Sequence, residues 1–189
     1  MKNHKLFFGS SYDRSLDIVL KLWPRIIEKF PDATLEVCYG WNLYDLGYAD
    51  NEERQDWKAR MNKLMEQKGI THHGRVSKKE LKRIRESCGI WIYPTYFAEI
   101  NCITALEAQA SKLVPVVTNY AALKETVQSG TKVDGDIYDD DVQEAWLTAL
   151  FEYMEDENKW KQESEKAIKF AQSFSWDDIA KEWAKHFNE

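Results

Sequence analysis

No apolar run in this chain approaches the roughly 20 residues that a helix needs to cross a bilayer. The first residues, MKNHKLFFGSS, hold no signal-peptide core. Cysteine is scarce. Cys38, Cys88 and Cys102 form neither a CxxC pair nor an even framework, so reduced thiols in a cytoplasmic protein are expected. A basic surplus is also lacking: 26 Lys and Arg against 32 Asp and Glu leave a formal net charge of -6, which argues against a nucleic-acid partner. Repeats and low-complexity linkers are absent, and 189 residues suit one domain spanning 1–189, with a core at 5–153 and C-terminal helices at 154–189. What the chain does have in quantity is tryptophan. Eight such residues imply a large core or a buried interface, and the sequence leaves that choice open.

The apolar pattern alternates between two periods. KLFF, ending in Gly9, reads as a strand and tight turn. Leu16, Val19, Leu20, Trp23, Ile26, Ile27 and Phe30 recur at three- and four-residue steps, a helix that Pro24 should kink. Thr34–Tyr39 reads as a second strand, and a helical stretch is expected near 56–67. Ile70–His73 is a third strand, and Ser77 to Glu80 forms a capping box opening a helix that runs to about Ser87. GIWIY and VPVVT supply strands four and five, a helix is expected over 121–128, and a short strand near 136–138. The last fifty residues read as helical, with a second capping box at Ser175 to Asp178 and an apolar stripe of Trp176, Ile179, Trp183 and Phe187. Strands alternating with helices imply a Rossmann-like α/β fold, a parallel sheet flanked by helices.

Such sheets bind ligands beyond the carboxyl ends of their strands. Two of the loops expected there carry distinctive chemistry. In Gly9-Ser10-Ser11-Tyr12-Asp13-Arg14 the small residues let backbone amides approach a ligand, and Arg14 offers a rigid fork suited to phosphate. The alternative is a solvated turn with Arg14 paired to Asp13 or Asp17. In the second loop, Asn101-Cys102-Ile103-Thr104 reads as the first turn of a helix, a ready anion site. Glu99 precedes that turn and Glu107 lies within the helix among Ala and Leu. A carboxylate there is costly to bury without a partner, and vicinal ribose hydroxyls would serve as one. The alternative is an exposed Glu107 on a polar face shared with Gln109 and Lys112.

Taken together these segments resemble the C-terminal, nucleotide-sugar-binding half of the retaining glycosyltransferases of family 4, which have the GT-B fold. The family's two glutamates with seven residues between them stand here as Glu99-INCITAL-Glu107. CGIWIYPTYFAE resembles the strand and loop before the first acid, and NYAALKETVQSG the turn and closing glycine after the helix. The resemblance spans Lys5 to about Tyr153. It implies that Glu99 contacts the transferred sugar and that Glu107 accepts from the ribose. It further implies that amides near Asn101, Cys102 and Ile103, with the Thr104 hydroxyl, hold sugar and diphosphate. Gly9, Ser10 and Arg14 would face the diphosphate, and the base would lie near Arg75 and Val76. Two features depart from the family: Ser10 stands where an arginine is usual and Arg14 where a lysine is usual, and Ile100 and Cys102 replace a Gly-x-Gly. The donor would be a UDP- or GDP-sugar, with no metal and no cofactor, and the acceptor a saccharide or other hydroxyl compound. The family's acceptor-binding N-terminal domain has no counterpart in these residues, so a missing domain or a partner chain is expected. The isolated chain should then be incomplete or inactive, and the full enzyme cytoplasmic or peripheral to a membrane.

Other readings compete. Asp134-Gly135-Asp136 matches the metal-binding triplet of the GT-A fold, against which a solvated loop and an acidic helix start are the simpler account. His72 and His73 are adjacent on a strand and point to opposite faces, so they are read as structural or surface residues. A non-catalytic interaction module, or a sugar-nucleotide epimerase, could use the same scaffold.

Overall fold

The structure, a computed structural model, describes residues 2–187. A 3-10 turn (Lys2–His4) leads into β1 (Lys5–Phe8), α1 (Leu16–Lys29), β2 (Thr34–Cys38), α2 (Asn42–Tyr48) and α3 (Glu52–Met65). Then come β3 (Ile70–Gly74), α4 (Lys78–Ser87), β4 (Ile90–Tyr93), α5 (Ile103–Ala110), β5 (Val114–Thr118), α6 (Leu123–Thr126) and β6 (Thr131–Val133). Three helices follow: α7 (Asp140–Glu155), α8 (Glu157–Ala171) and α9 (Trp176–Phe187). The strands form one parallel sheet in the order β3-β2-β1-β4-β5-β6, flanked by helices, the Rossmann-like α/β arrangement expected from the alternation.

Parallel strands covered on both faces need apolar side chains throughout, which explains the unbroken runs. Leu6, Phe7 and Phe8 of β1 and all four residues of β4 are fully buried. Pro115 is tolerated inside β5 because of where its missing donor faces. Val114 donates to Gly89 on the β4 side, so the Pro115 nitrogen faces β6, and β6 begins pairing only opposite Val116. Six of the eight tryptophans divide between two roles, and Trp41 and Trp57 are partly buried against the core. Trp23, Trp91, Trp146 and Trp160 are buried, whereas Trp176 and Trp183 lie exposed on α9.

Several boundaries differ from the sequence expectations. The polar stretch after β2 contains a separate helix, α2, built around aromatic contacts: Trp41 meets Tyr44 at 5.2 Å and Trp57 at 5.7 Å. Helix α3 starts before residue 56 because the Asn51 side chain caps it, accepting from the Arg54 amide at 3.0 Å. The sixth strand is Thr131–Val133 and not 136–138, where the Asp136 carboxylate instead accepts from the Tyr138 amide and closes a turn. Helix 121–128 shortens to α6, because Ala121 sits at φ 46°, outside the helical region. At Ser77 only half of the capping box forms. Its hydroxyl accepts from the Glu80 amide, while the Glu80 carboxylate turns to Arg83.

Candidate functional site

The strand order reverses direction between β1 and β4, and the loops leaving these two strands diverge around a crevice at the carboxyl edge of the sheet. Both loops sensed in the sequence are therefore brought to one place. Arg14 crosses from the first loop to the second, donating through Nη1 to Glu99 Oε1 at 2.6 Å, with its guanidinium 3.8 Å above the Phe97 ring. The Tyr93 hydroxyl, at the end of β4, donates to the same Glu99 oxygen at 2.7 Å, and Ser10 Oγ donates to Tyr93 at 3.2 Å. Ser10, Tyr93, Glu99 and Arg14 thus form one connected group. Burial opposes the charge of Arg14, yet hydrogen bonding and charge from Tyr93 and Glu99 outweigh it and raise its pKa. The solvated alternative, with Arg14 paired to Asp13 or Asp17, does not form; Asp17 is engaged by Lys21.

Beside this group lies a cleft of about 220 Å³ lined by Gly9, Cys38, Tyr39, Gly40, Arg75 and Leu81, with α2 closing one side through Asn42 and Leu43. Gly9 and Arg75, both named from the sequence as donor-site residues, line this one cleft. Gly40 is required at its position: φ is 87°, and a Cβ would stand 2.7 Å from the Arg75 amide nitrogen. The Gly40 amide donates to the Tyr12 hydroxyl at 2.8 Å, and that hydroxyl lies 2.7 Å from His72 Nε2, so the wall of the cleft is tied to β3. His73 turns instead to Glu36.

The start of α5 is partly committed to internal bonds. The Ile103 amide donates to the Asn101 carbonyl at 3.0 Å and the Ala105 amide to the Cys102 carbonyl at 2.9 Å, so the Ile103 amide is not a free donor as expected. Asn101 and Ile103 are exposed, Thr104 is half-buried and Cys102 is buried. Burial pushes the Cys102 thiol up to about 11 and the Cys38 thiol up to about 12, so neither is a thiolate nucleophile at neutral pH. Glu107 is half-exposed and receives Arg85 Nη1 of α4 on its Oε2. The polar face proposed for it does not exist, because Gln109 is fully buried and bonds the carbonyls of Ala105 and Thr126.

Tyr12, Tyr93, Asn42 and Arg85 went unnoticed in the sequence. Only Tyr93 left a signal there, as a polar-tipped residue ending an apolar strand next to the reversal point. Of the DxD triplet, Asp134 accepts from Asn119 at 2.7 Å. Among the described residues no cluster of His, Cys, Asp or Glu is placed to hold a metal ion.

The family model described as glycosyl transferases group 1 matches residues 9–172. No curated protein sequence matches. Solved structures do. A pneumococcal O-GlcNAc transferase, GtfA, in complex with UDP and GlcNAc shares 17% identity at a TM-score of 0.72, over 98% of this chain and 35% of its own. The HepE protein of Anabaena, in complex with UDP and glucose, shares 14% at 0.71, over 97% and 47%. The catalytic domain of the cholesterol-α-glucosyltransferase from Helicobacter pylori shares 15% at 0.64, over 90% and 98%. At these identities the likeness establishes the fold. The chain spans about a third of the first of these proteins and about half of the second.

Proposed function

Because this chain belongs to the group 1 glycosyl transferases, we propose that it is the C-terminal, donor-binding half of a retaining GT-B enzyme of family 4. Its substrate is a nucleotide diphosphate sugar, and the sugar passes to an acceptor hydroxyl held by a separate N-terminal domain or partner chain. The observation that carries this reading is the Arg14–Glu99 pair, which joins the β1 and β4 loops at the reversal point of the sheet. In support, UDP accompanies GtfA and HepE in their structures.

The roles follow from the chemistry of the groups. Glu99 accepts from hydroxyls of the transferred sugar, and Tyr93 and Arg14 hold its carboxylate in place beforehand. Arg14 turns part of its five-donor fork to the diphosphate, where negative charge grows as the leaving group departs. Gly9 and Ser10 let the first loop lie close to that charge. The amides of Asn101 and Cys102 and the hydroxyl of Thr104 complete the anion site at the start of α5; the Ile103 amide joins them only by releasing Asn101. Glu107 takes the ribose and the cleft beside Arg75 takes the base. The acceptor hydroxyl attacks on the face from which the leaving group departs; the thiols of Cys38 and Cys102, raised by burial, take no part.

One observation favours a second reading, a protein-interaction module without catalysis. Arg14 is already neutralised by Glu99, and Ser10 stands where a second cation is usual, so the diphosphate meets little unpaired positive charge. Calorimetry with UDP, GDP and their sugars separates the two. The donor reading expects saturable binding of one nucleotide, weakened by Arg14→Ala and by Glu107→Ala. At a hundredfold its Kd the ligand should stabilise the fold by about 2.7 kcal/mol in a thermal melt. Absence of binding at millimolar concentration would favour the module.

A further inference from the structure

Helix α4 carries five basic residues, and four of them, Lys78, Lys79, Lys82 and Arg83, face solvent. Arg85 does not. Its side chain retains 9% of its exposure, and it is directed at Glu107 of α5. Its Nε is buried with no acceptor among the described residues. A buried guanidinium with an unmet donor is a poor stabilising device, since an apolar side chain of similar size would serve the packing as well or better. Its presence calls for another account.

Its position supplies one. Leu81 lines the cleft, and Arg85 lies four residues further along, on the same face of α4 and one turn deeper. Arg85 is also close enough for its charge to act on the thiol of Cys38, another residue of the cleft wall, where it partly offsets the effect of burial. Glu107 is thus held from the side of α4 that adjoins the cleft. Arg85 engages Oε2 through Nη1 alone, and no hydrogen bond from the described residues reaches Oε1. Glu107 itself is half-exposed, so ligand hydroxyls can reach it. A lysine could supply the charge, but its rotating ammonium on a flexible stem would hold Oε2 in place less firmly than a planar guanidinium does.

We propose that Arg85 is a positioning residue that locks Glu107 so that its Oε1 is presented to the ribose hydroxyls of the nucleotide; this rests on the donor-site reading given above. The arrangement specifies the ribose and not the base, so Arg85 governs discrimination between ribo- and deoxyribonucleotides.

The test is calorimetric titration of the whole chain with UDP, 2′-deoxy-UDP and 3′-deoxy-UDP, and with the guanosine counterparts. It is run for the wild type, Arg85→Met, Arg85→Lys, Glu107→Gln and the Arg85→Met/Glu107→Gln double variant. The wild type should bind the ribonucleotide about tenfold more tightly than a deoxy form, the scale of a hydrogen bond to a charged group. Arg85→Met should bring that ratio close to one, as Glu107→Gln does, and the double variant should add nothing further. A purely structural role would weaken ribo and deoxy forms alike and leave the ratio intact. A folded Arg85→Met that keeps the ratio overturns the proposal. If Arg85→Met does not fold, Arg85→Lys decides: a reduced ratio supports the proposal and an undiminished one overturns it. Wild-type binding with no ribose preference overturns the Glu107 role and this proposal with it, while the donor site stands. No wild-type binding of any nucleotide removes the donor-site reading itself.

Discussion

Single side chains in this protein owe their state to neighbours from distant parts of the sequence, and His72 illustrates the consequence. The Tyr12 hydroxyl accepts from the Gly40 amide at 2.8 Å and lies 2.7 Å from His72 Nε2, so a ring on β3 is tied to two loops remote from it in sequence. Partial burial, and secondarily the neighbouring His73, lower the His72 pKa below its usual 6.5. The unfolded chain therefore binds this proton at a higher pH than the folded one. The contribution to stability is complete above pH 6.5 and is lost as pH falls toward the folded value. Lowering the pH from about 7.5 to about 5.5 should reduce the melting temperature more in the wild type than in His72→Gln. Equal slopes in the two melts would show that the ring does not carry this effect.

Among the elements, α1 shows how a locally unfavourable residue is accommodated by another part of the chain. Pro24 sits inside an unbroken helix, Leu16–Lys29, and cannot donate to the Leu20 carbonyl one turn earlier. Gln67, just beyond α3, fills the gap: its Nε2 lies 2.8 Å from the Leu20 oxygen and 2.9 Å from that of Leu64. The sequence suggested a kink at Pro24; what the structure adds is a substitute donor from 47 positions away. Gln67→Met should then destabilise the fold by about 1–3 kcal/mol, the cost of a buried carbonyl left unmet. In a Pro24→Ala background, which restores the main-chain donor, the same change should cost less. Urea denaturation of the four variants closes the cycle, and equal costs in both backgrounds would disconnect Gln67 from Pro24.

At the scale of the whole molecule, the buried core ends before the last helix. No residue of α9 is buried, and Trp176, Trp183 and Phe187 are 83%, 62% and 77% exposed. Truncation before Trp176 should accordingly shift the melting temperature of the remainder by no more than about 2 °C, the range of surface changes in a chain of this size. A larger drop in calorimetry would mean that α9 packs on the body of the protein in solution.

The sequence by itself determined the alternation of strands and helices, the buried runs LFF, IWIY and VPVV, and the grouping of chemistry in the loops at Gly9–Arg14 and Glu99–Thr104. These are local properties, set by side-chain period and by the turn residues that follow each strand. It did not determine α2, whose two tyrosines join a cluster of rings with Trp41 and Trp57 while Leu43 and Leu46 stay exposed, nor the position of β6, three residues long and paired along β5. Nor did it determine the partners of the charges. Arg14 stands 85 positions from Glu99 and Arg85 stands 22 from Glu107, and nothing in the spacing reveals either pair. Those choices belong to the tertiary structure, because the strand order places β1 beside β4, and this adjacency decides which loops face each other across the crevice.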